Sequence, residues 1–147
     1  MATPRFRLEQ VLTYRCDIEK LRLQDFAQAK QALEHASDSL HRAKEHVGGV
    51  SEEFCSRQAE LENIDDVRMY ADFFARKREE FRQQQEQVDL LNSEMHQRRD
   101  DLLDATKDKK VLESLKQKHE QEFRELMARR EQAFLDEISI FKKKESA

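Results

Sequence analysis

Between Phe26 and Phe54 an apolar residue returns at every third and fourth position in strict alternation: Phe26, Ala29, Leu33, Ala36, Leu40, Ala43, Val47, Val50 and Phe54. Only an α-helix places such residues on one stripe, and a stripe this narrow must be buried against another helix. Two glycines and one proline in 147 residues leave few places for the chain to turn. Charged residues, at 39%, outnumber hydrophobic ones, at 37%, which is too much charge for a wide globular core. The expected fold is all-α: two long helices in an antiparallel coiled-coil hairpin, forming a single domain over residues 1–147.

The pattern also suggests where the elements begin and end. Thr3-Pro4 offers a hydroxyl cap and a proline at the first helical position. Helix 1 is therefore expected over about 5–62. Its first seam segment reads Val11, Tyr14, Ile18 and Leu21, followed by a slip of the kind a stutter makes before Phe26. Gly48-Gly49 falls inside the regular run. The seam keeps its phase across the pair, so it is a weak point where a kink is expected, and not the turn. The turn is expected at about 63–66, within Glu62-Asn63-Ile64-Asp65-Asp66, because Asn63, Asp65 and Asp66 can each cap a following helix. Helix 2 is expected over about 67–143. Its 3-4 alternation starts at Phe74, Lys77, Phe81, Gln84 and Val88 and continues through Leu112, Lys116, His119 and Phe123 to Leu126, Arg130 and Ile140. From Lys109 onward apolar residues also scatter off the seam, at Leu115, Met127, Phe134, Leu135, Ile138 and Phe141.

At 1.5 Å per residue the two helices would measure roughly 85 and roughly 115 Å. Folding about residue 64 brings Arg5 to the neighbourhood of residue 123, so about the last 20 residues of helix 2 would overhang without an intrachain partner. Apolar residues at that density on an unpaired helix await a partner. The charge is uneven. Residues 1–24 hold five basic and three acidic side chains, a surplus of +2, and residues 105–147 hold eleven and nine, again +2. Between them, residues 25–65 carry four basic and nine acidic side chains, and residues 66–104 seven and ten. Cys16 and Cys55, 39 residues apart on one helix, would lie roughly 60 Å apart and cannot bridge. Two free thiols and no apolar signal stretch lead to the expectation of the cytosol.

The chemistry of an enzyme is missing from the pattern. There is no glycine-rich phosphate loop and no cysteine pair at metal spacing. His35, His41 and His46 do not share a helix face, and His119 reads as a polar position on the seam. No cofactor, metal, small-molecule substrate or catalytic residue is expected, and the expectation is of a protein that works by contacting other proteins. Nucleic acid is an unsuitable partner, since the basic series from Lys107 to Lys144 is interleaved with acids. Tyr70, Phe73, Phe74 and Phe81 follow the turn. They serve either as local packing or as an exposed aromatic docking patch.

Three blocks of residues carry a resemblance. The first is Arg5-Phe6-Arg7-Leu8-Glu9-Gln10-Val11-Leu12 with Arg15, and the second is Tyr70-x-x-Phe73. The third is Ala105-x-x-x-Lys109-Lys110-Val111-Leu112-Glu113-Ser114-Leu115-Lys116, followed by Glu122, Arg129-Arg130-Glu131-Gln132 and Leu135-Asp136-Glu137. In this order, over essentially the whole chain, they resemble the flagellar export protein FliJ family. Gly48-Gly49 departs from the pattern. The resemblance implies a non-enzymatic, stalk-like coiled coil of the flagellar type III export apparatus, cytoplasmic and peripheral to the inner membrane at the flagellar base. It implies three kinds of partner: the export ATPase ring, which the chain ends would enter and help assemble, a membrane export-gate protein, and export chaperones. An inserted end needs apolar and basic contacts, which points to Phe6, Leu8, Val11, Leu12, Leu126, Arg129, Arg130, Phe134, Leu135 and Ile138 for the ATPase. Family position points to Tyr70, Phe73, Phe74 and Lys77 for the gate. The equivalent stalk of a virulence-type secretion system, or a generic structural coiled coil, are the alternative readings.

Overall fold

A computed structural model describes residues 4–61 and 63–146. Among these the chain forms two α-helices and no strand: α1 over Glu9–Arg57 and α2 over Ile64–Glu145. The helices pack against each other as an all-α helical hairpin. The chain divides into two compact units. Leu21–Leu102 forms one, which contains the turn and is called here the turn unit. Met1–Lys20 with Leu103–Ala147 forms the other, the terminal unit.

The element ends follow from local hydrogen bonding. α1 starts at Glu9, four residues after the start that proline suggested, because a turn precedes it: the Glu9 amide donates to the Phe6 carbonyl at 3.2 Å. Glu9 then places a negative charge in the first turn, where the helix dipole favours it. Thr3, the expected cap, lies outside the described residues. α1 ends at Arg57, short of 62, where the Glu60 amide donates back to the Arg57 carbonyl at 2.9 Å. Glu62, read as the end of the helix and the opening of the turn, also lies outside the described residues. Of the three candidate caps for α2, Asn63 is the one used. Its side-chain oxygen accepts from the Asp65 amide at 3.1 Å, so the helix begins at Ile64, before the expected 67. Asp65 and Asp66 fill the first turn and Lys142 to Lys144 the last, both in the sense the dipole favours.

In the turn unit the sequence pattern and the packing agree. All nine residues of the run from Phe26 to Phe54 are buried or half-buried, with Leu40 at 6% exposure the most enclosed. On α2, Phe74, Lys77, Phe81, Gln84, Val88, Leu91, Met95, Arg98 and Leu102 all turn inward. Gly48 and Gly49 are helical with negative φ, so the chain does not turn there. Eight of the eleven ion pairs among the described residues join positions three or four apart on one helix, such as Arg82 to Glu79 at 2.6 Å. They support the exposed faces that the seam cannot.

In the terminal unit the first seam segment is corrected. Val11 and Tyr14 are exposed, and so is Leu21, the last of that segment. Ile18 is half-buried, as expected of a seam residue, but next to Val11, Tyr14 and Leu21 the following residue is the one packed: Leu12 is buried, Arg15 is half-buried along with Glu19, and so is Arg22 at the start of the turn unit. Leu12, Arg15, Glu19, Arg22 and Phe26 continue the 3-4 alternation of the run to Phe54, and Cys16, Ile18 and Asp25 are half-buried beside them. The physical reason lies across the interface. Arg15 reaches Asp108 at 3.3 Å, Glu19 reaches Lys109 at 2.9 Å and Glu9 reaches Lys116 at 2.9 Å, so charged seam positions find opposite charges on α2. These are all three interhelical ion pairs among the described residues. His119, read as a seam position, is exposed, with its ring centroid 6.1 Å from that of Phe6.

The described core contains only three buried residues, Leu12, Leu40 and Ala105. Stability is therefore distributed along half-buried positions, and each seam residue matters. Leu40→Ala should cost about 2–3 kcal/mol, read as a lower denaturant midpoint. A Cβ added at Gly48 or Gly49 meets nothing within 4 Å. Gly48→Ala and Gly49→Ala should each raise stability, by about 0.5–1 kcal/mol, in the same measurement.

Candidate partner-binding surfaces

The surface of the terminal unit is set by where α2 loses its partner. Phe123 is its last half-buried residue, and every described residue from Arg124 onward is exposed. Leu126, Phe134, Leu135 and Ile138 all lie there, with Phe134 at 62% exposure. Met127, Ile140 and Phe141 join them, and Phe141 reaches 72%. Met127, Phe134, Ile138 and Phe141 follow Phe123 at steps of four, seven, four and three, so the apolar stripe has shifted off the phase of the seam. Arg124, Arg129 and Arg130 take part in no ion pair among the described residues, which leaves their guanidinium groups available to a partner.

An open cleft of roughly 1800 Å³ lies between the N-terminal segment and α2 of this unit. Phe6, Phe123, Met127, Ala128 and Phe134 give it apolar walls, and Arg7, Arg124, Arg130, Glu120 and Glu131 a charged rim. Of the ten residues expected at this surface, Phe6, Arg130 and Phe134 line the cleft, while Leu8, Val11, Leu126, Arg129, Leu135 and Ile138 are exposed outside it. Leu12 is buried and so supports the surface from beneath without forming it. Phe123 and Met127, noted in the sequence as a seam residue and an off-seam apolar residue, and Arg124 were not among the residues expected to contact the ATPase. The signal that marks them is the four-residue step from Phe123 to Met127, where the stripe leaves the seam.

The charges beneath this surface are tied to one another. The Glu19 carboxyl is held below its ordinary 4.5 chiefly by the hydrogen bond from Lys109, against partial burial, which pushes the other way. Lys109 is raised in turn by Glu19, and Lys116 by its hydrogen bond to Glu9. The second Glu19 oxygen, Oε2, is buried without a hydrogen-bond partner.

In the turn unit, the aromatic residues after the turn mostly pack on one another. The Tyr70 ring lies 4.9 Å from Phe54 on α1, and Phe74 meets Phe54 at 6.1 Å, edge to face. Phe73 stands 5.6 Å from Phe74, and the Lys77 ammonium sits 5.8 Å from the Phe73 centroid. Tyr70, Phe73, Phe74 and Lys77 are thus brought together, each half-buried. The cluster closes the hairpin next to the turn and leaves part of each residue open to a partner.

Among the described residues no group of three or more His, Cys, Asp or Glu side chains is placed to hold a metal ion, and Cys16 and Cys55 are both free thiols. No described helix is long and apolar enough to cross a membrane.

The described residues thus form a helical hairpin whose terminal seam is polar and whose α2 ends in exposed apolar and basic side chains. The chain belongs to the family described as the flagellar FliJ protein, whose family model matches residues 4–146. It is thereby a structural, non-catalytic component of flagellar protein export. Comparison with curated proteins and with solved structures yields no match.

Two measurements test the surface description. A depressed carboxyl pKa stabilises the folded chain above the unfolded value of 4.5 and loses that contribution as pH falls through the folded value. Glu19→Gln should therefore melt below the native chain at neutral pH, and the gap should close as pH falls below 4.5. Phe134→Asp, on an exposed and unpaired face, should leave thermal stability unchanged to within about 0.5 kcal/mol.

Proposed function

We propose that this protein is the stalk of a flagellar type III export apparatus, working in the cytoplasm at the base of the flagellum. Its terminal unit enters the ring of the export ATPase and promotes assembly of that ring. The observation that carries this reading is the end of α2, where exposed Leu126, Phe134, Leu135 and Ile138 stand beside Arg129 and Arg130 with no helix packed on them among the described residues. An apolar and guanidinium-rich helix end is suited to burial in a ring of identical subunits, because aromatic residues and arginine contribute most to binding at desolvated interfaces. Phe6, Leu8 and Val11 add contacts from the N-terminal side of the same unit, with Leu12 fixing their position.

The turn unit links the ring to the membrane export gate through Tyr70, Phe73, Phe74 and Lys77. Phe73 and Lys77 make the direct contact, and Phe54 holds the Tyr70 and Phe74 rings in place. Export chaperones are the third kind of partner.

ATP hydrolysis by the cognate export ATPase, measured with and without the chain while sizing follows ring formation, tests this function. Hydrolysis should rise and more ring should form. A Phe134→Asp/Leu135→Asp double variant should lose both effects while remaining folded. Unchanged hydrolysis and no added ring, with the chain forming a stable homodimer, would contradict the proposal.

A further inference from the structure

We infer that the N-terminal stretch of α1 has two packing phases, one residue apart, and that charge decides which of them faces α2. The stretch carries two complete heptad stripes. Leu12, Arg15, Glu19 and Arg22 form the one turned inward. Val11, Tyr14, Ile18 and Leu21 form the other, each immediately preceding its counterpart, with Val11 at 41% and Tyr14 at 58% exposure. A step of one residue on an α-helix is a rotation of about 100°. Turning the stretch by that angle would face Val11, Tyr14 and Ile18 toward Ala105 and Leu112 of α2 and carry Arg15 and Glu19 out to water.

The two phases are opposed by different forces. The phase seen in the structure buries Leu12 and keeps step with the seam from Phe26 onward. Glu9–Lys116, Arg15–Asp108 and Glu19–Lys109 hold it across the interface. It also leaves Val11, Tyr14 and Leu21 facing out and Ile18 only half-buried. The Arg15 guanidinium lies 6.0 Å from the centroid of the Tyr14 ring. The turned phase buries more apolar surface and gives up the ion pairs. Its mismatch with the downstream seam falls on the five-residue step from Leu21 to Phe26, where one extra residue is absorbed by a local change of winding. Arg15–Asp108 and Glu9–Lys116 are largely exposed, and such pairs are weak and screened by salt, whereas apolar burial is not; the part-buried Glu19–Lys109 is screened less. The equilibrium is therefore adjustable by ionic strength. Displaying the apolar stripe in one phase and charges in the other makes it a switch in what the terminal unit offers to its surroundings. It belongs to the isolated chain and does not depend on the ATPase reading.

Thiol reactivity tests it in the full chain with Cys16→Ser and Cys55→Ser. Val11→Cys and Leu12→Cys are introduced separately and labelled with a small maleimide. At low salt Val11→Cys should react fast and Leu12→Cys slowly. Screening at about 1 M salt should speed Leu12→Cys roughly tenfold and slow Val11→Cys, the scale expected when three such pairs are lost. Adding Arg15→Gln and Glu19→Gln should produce the same opposite changes at low salt. Opposite changes with helicity retained in circular dichroism support two phases. Both thiols accelerating together, which marks fraying, or neither changing, which marks a single fixed phase, would overturn the inference.

Discussion

The narrowness of the seam governs this molecule. Two helices bury few side chains against each other, and here only Leu12, Leu40 and Ala105 are buried among the described residues. Nothing wide enough to exclude water from a reaction can form beneath such a seam, so the chemistry of the chain lies in its exposed faces. Where the seam is apolar, as from Phe26 to Phe54, packing alone sets the phase. Where charged residues occupy it, as at Arg15, Glu19, Lys109 and Lys116, complementary pairs across the interface set the phase, and apolar residues are left outside.

The terminal unit follows from this constraint. Its polar seam binds the helices less firmly than an apolar one would, since exposed ion pairs contribute little net stability. Beyond Phe123 the partner helix runs out, yet the sequence continues to spend apolar residues on α2. An isolated helix end of this kind is unfavourable in water unless something covers it. Membership of the flagellar FliJ family places the chain in flagellar protein export.

Much of the fold was legible in the sequence because the signal was redundant. Nine apolar residues at one phase leave no competing stripe from Phe26 to Phe54, and Asn63, Asp65 and Asp66 mark the start of α2 whichever one caps it. The reading failed where two stripes run one residue apart. Val11, Tyr14, Ile18 and Leu21 look like a seam by hydropathy, but the register that brings Asp108, Lys109 and Lys116 opposite Arg15, Glu19 and Glu9 is a property of the folded pair, not of either segment alone. The same blindness explains Leu12, taken for a surface residue and found buried. It also explains His119, which holds the right phase but is exposed, with Phe6 as its aromatic neighbour. The exposed end of α2 was visible because a count of helix lengths showed that it had nothing to pair with.

Hydrogen exchange on α2 of the isolated chain tests the central claim most directly, that this helix is partnered up to Phe123 and open beyond it. Amides facing the seam before Phe123 should be protected and those after Leu126 should exchange much faster, gaining protection only when the export ATPase is added. Equal protection on both sides of Phe123 in the isolated chain would contradict the account, because it would mean that the end of α2 is already covered.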